Sequence, residues 1–302
     1  MAYTKDFDVI IIGGSYAGLS AAMALGRSLR NTLIIDSGLP CNRQTPQSHN
    51  FLTQDGKTPH EISMLAKQQV EKYDTVKFYK GFAITGKKIV NGFEIITDSN
   101  DKFTAKKLIL ATGVKDIMPD IKGFAECWGI SIIHCPYCHG YEYRKGNTAI
   151  LANGEKAFHM ASLVNNLTDN ITILTAGKAE FNSEQIDKLN KHNIKIIETE
   201  ISEFENKNGQ IQNVVFTDST KMTFNAAYAV IPFLQPSDIP VVLECELNKQ
   251  GYIKIDAFQK TTVEGIYACG DNTNMMRSIA NAVYSGNITG AVVNGDLTNE
   301  QF

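Results

Sequence analysis

The chain has no apolar run approaching the roughly 18 residues that a membrane-spanning helix needs, and no run of basic residues longer than two. The first absence argues against a membrane protein. The second, with a formal net charge of −3, argues against a nucleic-acid groove or a patch for anionic lipid. The apolar stretch FDVIIIGG starts so close to the N-terminus that no secretory signal fits ahead of it. Cysteine is scarce: six irregularly spaced residues in 302 do not make a disulfide scaffold. These absences lead us to expect a cytoplasmic protein with mostly reduced thiols, and neither nucleic acid nor membrane as partner. Length and a hydrophobic fraction of 43% allow a large core and two domains.

What is present is mostly α/β pattern. In the run DVIII (8–12) every residue after Asp8 is apolar, as in a strand covered on both faces. GGSYAG follows, then a stretch of small and apolar residues at helical spacing, then a second buried strand at Thr32–Asp36. Thr58-Pro59-His60-Glu61 reads as the start of another helix. Lys77 to Thr112 reads as short strands and tight turns, an antiparallel excursion that returns to the sheet. A second strand–turn–helix–strand spans 147–175, and several short strands follow to 231. GYIKID, GIYACGD and a long helix from about Ser278 close the chain. The fold expected is two Rossmann-like dinucleotide-binding domains, the second inserted into the first: 1–115 and 248–302 around 116–247.

In the first turn, Gly13 permits the tight bend and Gly18 the close approach of helix to strand, while Ser15 stands where the middle glycine of G-x-G-x-x-G belongs. Asp36 ends the next strand, where it can accept a hydrogen bond from a ribose. Strand, turn, helix and terminal acid together predict a dinucleotide site, with the pyrophosphate at the helix N-terminus. LILATG (108–113) and TTVEGIYACGD (261–271), in that order after GGSYAG and Asp36, resemble the two-dinucleotide-domain flavoproteins over nearly the whole chain. That resemblance implies FAD held by Gly13, Gly14, Ser15, Gly18, Asp36, Asn50 (in SHNF), Thr112, Gly113, Asp271 and the backbone near Ser278. The positive end of the last helix would then stabilise an anionic reduced flavin.

HCPYCHGYE (134–142) carries the chemistry. Zinc would need a second CxxC or a paired-histidine motif, and ligands at 134, 135, 138 and 139 are too crowded to close a tetrahedron. The spacing suits a redox pair whose sulfurs meet across one turn, one of them activated by a helix N-terminus. Its place just ahead of the second dinucleotide unit resembles the low-molecular-weight thioredoxin reductases. There the resemblance implies that Cys138 faces the flavin and Cys135 exchanges with substrate, giving two-electron exchange and a mixed disulfide. CPYCHGYE as a whole resembles the dithiol oxidases of gliotoxin and holomycin biosynthesis. His139 replaces the acid usual after the second cysteine and suits proton shuttling, with Glu142 placed to orient its ring; a purely structural bond to a backbone carbonyl is the alternative. His134, Tyr137, Tyr141 and Tyr143 read as packing or rim residues.

The second turn departs from the family pattern. Ala152-Asn153-Gly154 lacks the first glycine, a side chain at Asn153 crowds the bend, and one lysine, Lys178, with no arginine, follows the next strand. A 2′-phosphate clamp and an NAD-type acid are both missing. An NADPH site is therefore expected to be degenerate. The reading is an enzyme, a flavoprotein disulfide oxidoreductase. One version is a reductase acting on a thioredoxin-like protein or small disulfide, fed by a nicotinamide, a ferredoxin or a flavodoxin. The other is an oxygen-dependent dithiol oxidase. A non-catalytic FAD-binding redox sensor is the alternative from another class, and a homodimer is the assembly the resemblance implies.

Overall fold

The structure, a computed structural model, describes residues 6–302. It divides into two compact units: the chain up to Arg43 with His60–Lys115 and Phe233–Phe302, and Gln44–Pro59 with Asp116–Pro232.

The first unit is organised by a parallel sheet. Val76–Lys80, Thr32–Asp36, Asp6–Ile12 and Lys102–Leu110 lie side by side in that order, and Ile266–Ala268 pairs with the far edge of Lys102–Leu110. Val9, Ile10 and Ile11 are all buried. Consecutive buried residues on a strand mean that both faces are covered, and this is why the sequence shows a continuous apolar run instead of alternation. Lys102–Leu110 is long enough to serve two partners along one edge. Its N-terminal half pairs antiparallel with Gly92–Thr97, and its last three residues pair parallel with Ile266–Ala268. The meander Ala83–Ile89, Gly92–Thr97, Lys102–Leu110 is the excursion expected from the sequence.

Two helices, Tyr16–Arg27 and Ile279–Gln301, pack closely together. A Cβ on Gly286 would stand 2.1 Å from the Ala17 carbonyl oxygen, and one on Gly290 would stand 2.5 Å from that of Ala21. Only glycine lets the backbones approach so far, and the contact ties the last helix to the helix that follows the first glycine turn. Ile239, Leu243 and Cys245 are buried in this unit's core with Phe7, Ile95 and Leu108, so the chain is already back in the first unit by then.

The second unit has its own parallel sheet, in the order Lys195–Ile197, Ile171–Leu174, Thr148–Leu151, Ala226–Ala229, Ile132–Ile133. A three-stranded antiparallel sheet, Ile201–Lys207, Gln210–Phe216 and Lys221–Met222, accompanies it. Phe124, Trp128, Phe204 and Val214 fill one core cluster. Helix Ser183–Lys191 is closed by a capping box, Asn182 and Gln185 bonding each other's backbone N–H.

GYIKID forms no strand and makes only an isolated bridge between Leu247 and Ile253. Its backbone donors go to loops instead, Ile253 N to the Asn272 carbonyl at 2.9 Å and Lys254 N to that of Glu246 at 2.9 Å. No helix among the described residues is long and apolar enough to cross a membrane.

Candidate active site

The two strand–turn–helix units use their helix N-termini in opposite ways. In the first, Gly13 has φ +106°, and a Cβ there would lie 2.2 Å from the Ala111 carbonyl oxygen. A Cβ on Gly18 would lie 1.9 Å from the Gly13 carbonyl oxygen. The turn is thus drawn tight beneath the helix that starts at Tyr16. Ser15, the N-cap residue, makes no side-chain capping bond, and the first turn contains no acid. Leading N–H groups without a side-chain cap at a positive helix end are what an anionic ligand requires. Asp36 Oδ1 accepts a hydrogen bond from Gly14 N at 3.0 Å, which brings the acid at the end of the second strand against the turn.

At the same end of this sheet, Asn272 Nδ2 donates to the Leu110 carbonyl at 2.9 Å and to Thr112 Oγ1 at 3.1 Å. That pair of bonds joins LILATG to the segment after Gly270. Gly113 has φ +66° and open space where a Cβ would be. Asp271 lies 3.8 Å from Arg277 Nε, and Ser278 caps the last helix, its Oγ accepting from Asn281 N at 3.1 Å. Asn50 belongs to the other unit. Its backbone is left-handed (φ 59°), and its N–H donates to Asp55 Oδ1 at 2.8 Å. The first turn, with its close-packed glycines and uncapped helix end, therefore fits a dinucleotide pyrophosphate.

The second turn does not. Asn153 is the N-cap of helix Gly154–Val164, and its Oδ1 accepts from Gly154 N at 2.8 Å and from Glu180 N at 2.9 Å. Its Nδ2 donates to the Lys178 carbonyl at 2.8 Å. The side chain expected to crowd the bend is bonded into it, taking donors that a phosphate would need. Glu155 stands in the first helical turn, and Glu198 accepts from Ala179 N at 2.7 Å. Carboxylates sit where a dinucleotide would bring negative charge.

Cys135 is the N-cap of a one-turn helix, Pro136–His139, with Cys138 on the same turn. No disulfide is formed among the described residues. The Cys138 thiol hydrogen-bonds the Cys135 sulfur, and the backbone N–H groups of Cys138 and Tyr137 add to it. Together they outweigh burial and bring the Cys135 thiol down to about 7. Burial pushes the other core thiols the opposite way, Cys127 to about 11 and Cys269 to about 12. Cys135 thus has the lowered thiol that an exchanging sulfur needs.

The imidazole of His139 is held below its ordinary value, first by burial and then by the nearby His49, against an opposing pull from Glu142. The rings of His49 and His139 meet edge to face, centroids 6.2 Å apart at 82°. Glu142 was expected to orient His139. Its carboxylate instead meets His49, Oε1 to Nε2 at 3.5 Å, and acts on His139 as a charge through space. His49 is the residue that sequence reasoning passed over, although it adjoins Asn50 in SHNF. His134 packs beside Trp128, ring centroids 6.1 Å apart. Tyr137 and Tyr141 are rim residues, 67% and 65% exposed, and the Arg144 guanidinium lies over the Tyr141 ring at 3.9 Å. Tyr143 donates its hydroxyl to the Ile130 carbonyl at 2.7 Å.

Residues 7–286 match the family described as pyridine nucleotide-disulphide oxidoreductase. The chain belongs to that family. It is 32% identical to the thioredoxin reductase tcpT of Claviceps purpurea, over 98% of this chain and 96% of that protein. It is equally 32% identical to the thioredoxin reductase sirT of Leptosphaeria maculans, over 95% and 93%. Among solved structures, an oxidoreductase from Agrobacterium tumefaciens superposes with a TM-score of 0.91 at 36% identity, covering 97% and 99% of the two chains. The structure of HlmI, at 24% identity and a TM-score of 0.92 over 100% and 95%, shares the fold. The protein is accordingly a thioredoxin reductase-like flavoprotein disulfide oxidoreductase, and the resemblance read from its motifs holds at family level.

Proposed function

We propose that this oxidoreductase binds FAD at the first glycine turn and runs in the oxidising direction, taking electrons from a small dithiol through Cys135 and Cys138 and passing them to oxygen. The observation that carries the direction is Asn153, whose bonds to Gly154 N and Glu180 N close the second turn against a nicotinamide dinucleotide. Gly13, Gly14, Ser15, Gly18 and Asp36 would hold the adenosine and pyrophosphate. Thr112, Gly113, Asp271 and the backbone at Ser278 would hold the rest. Bound flavin supplies the two-electron couple against which the reduced cysteine pair returns to the disulfide.

The remaining chemistry belongs to the chain's own residues. A substrate thiolate attacks Cys135 of the disulfide, and Cys138 leaves with the bonding pair. The second substrate thiolate then attacks the substrate sulfur of the mixed disulfide and releases Cys135. Net, the substrate becomes a disulfide and the enzyme a dithiol, with two electrons moved. A thiol as acidic as Cys135 is a good leaving group in the second step. A neutral His139, beside the pair in sequence, accepts a proton from a substrate thiol.

A second reading has one specific support: the matched relatives are named thioredoxin reductases. In it the pair reduces a thioredoxin-like protein, with electrons from a nicotinamide or from reduced ferredoxin or flavodoxin. Anaerobic titration of the yellow protein separates the two. Bleaching by dithiothreitol, colour returning in air and no response to NADPH or NADH is the expected result; bleaching by one equivalent of NADPH refutes the oxidase direction. Cys138→Ser should abolish turnover while the protein stays yellow, and unchanged turnover would sink the disulfide mechanism.

A further inference from the structure

The segment 44–59 lies far from HCPYCHGYE in sequence yet is grouped with it in the second unit. It is built as a small closed loop. Ser48 N donates to the Lys57 carbonyl at 2.7 Å, Gly56 N to that of Ser48 at 2.9 Å, and Asn50 N to Asp55 Oδ1 at 2.8 Å. The other oxygen of Asp55 faces His49 Nδ1 at 3.5 Å, and Glu142 Oε1 faces Nε2 at 3.5 Å. The His49 side chain is only 17% exposed, and its Nε2 is buried with no hydrogen bond of normal geometry. A buried imidazole with a carboxylate at each nitrogen can donate to both only when it carries two N–H groups.

We propose that His49 is the positioning residue of the dithiol site: set between Asp55 and Glu142, it turns its ring on His139 and keeps that imidazole neutral and ready to accept a proton. This rests on the reading that His139 serves the cysteine pair. His49 and Glu142 act on His139 by charge, and within its own turn His139 N donates to the Cys135 carbonyl at 3.3 Å. The phenol of Tyr228, on the strand beneath Gly140, is kept protonated by burial. His49 is therefore the like group whose charge, when it carries one, opposes a proton on His139, and Glu142 the negative charge that favours one.

The test is an NMR titration of the FAD-loaded protein carrying ring-labelled histidine, with the His139 signals assigned from His139→Gln. Removing a like charge about 6 Å away should raise the His139 midpoint in His49→Gln by about half a pH unit with water-like screening, and by up to about two with partial shielding. His49→Arg keeps the charge and should leave the midpoint low. The acid limb of turnover should follow the same order. A midpoint unmoved in His49→Gln, or raised equally in His49→Arg, overturns the proposal. If His49→Gln does not fold, His49→Asn is the second variant: the same upward shift supports the proposal, and none refutes it. The midpoint is read without substrate or oxygen, so it fails or holds independently of the direction of electron flow.

Discussion

Replacing Cys138 by alanine removes the largest single influence on Cys135, the hydrogen bond from the neighbouring thiol. The backbone N–H groups of Tyr137 and Cys138 still favour the thiolate, while burial disfavours it. The Cys135 thiol should therefore rise from about 7 toward, and with burial past, the ordinary 9.0. At pH 7 a thiol at 9.0 is about 1% ionised and one at about 7 about half ionised, a roughly 50-fold difference in thiolate. The more basic thiolate is the better nucleophile, and a Brønsted slope of about 0.4–0.5 recovers about 6- to 10-fold of that loss. The net expectation is an alkylation rate about 5- to 8-fold lower at pH 7, with the midpoint of the rate–pH curve moved to higher pH. The assay is iodoacetamide labelling of the anaerobically reduced, FAD-loaded protein, read by mass spectrometry of the peptide containing Cys135. A midpoint that stays put in Cys138→Ala refutes the hydrogen-bond origin of the acidity. Faster labelling of Cys138 than of Cys135 in the unmodified protein refutes the assignment of Cys135 as the exchanging sulfur.

Asn153→Ala deletes a helix cap together with the bonds to Glu180 N and the Lys178 carbonyl; it should cost about 1–2 kcal/mol in urea denaturation. It should not let NADPH bleach the flavin, because Glu155 and Glu198 remain, and NADPH-dependent bleaching of this variant would refute the electrostatic part of that argument. Asp271→Ala should lower the flavin retained per protein after gel filtration, since Asp271 sits beside Arg277 and shortly precedes the cap of the last helix; a fully yellow variant would count against its place in the cofactor site.

The elements legible in the sequence are those whose pattern is local. The strands Asp6–Ile12 and Thr32–Asp36 announce themselves by the apolar runs Val9–Ile12 and Leu33–Ile35, and both glycine turns and the cysteine pair are short contiguous motifs. GYIKID alternates like a strand, but whether its backbone joins a sheet depends on what lies beside it, and here loops supply its partners. The boundary placed at 247/248 falls after Ile239, Leu243 and Cys245, whose burial in the first core is a long-range outcome with no local mark. His49 was hidden for a related reason. The loop around it is held by bonds between side chain and backbone, from Asp55 and across Ser48 and Lys57. Such bonds leave no periodicity to read, and the segment's grouping with residues 116–232 is a fact of folding alone.

The contrast between the two turns explains how one supersecondary unit comes to serve two ends. A helix N-terminus gains about 1 kcal/mol from a side-chain cap and about 0.3–1 kcal/mol from an acid in its first turn. The helix at Gly154 takes both, through Asn153 and Glu155, whereas the helix at Tyr16 takes neither. A turn selected for stability alone would be capped. The uncapped turn keeps stabilisation in reserve for a ligand, and a bound pyrophosphate recovers it by accepting the same N–H groups. By this criterion the first turn is the one suited to a dinucleotide. The second turn stabilises its own helix, in the unit that carries Cys135, Cys138 and His139.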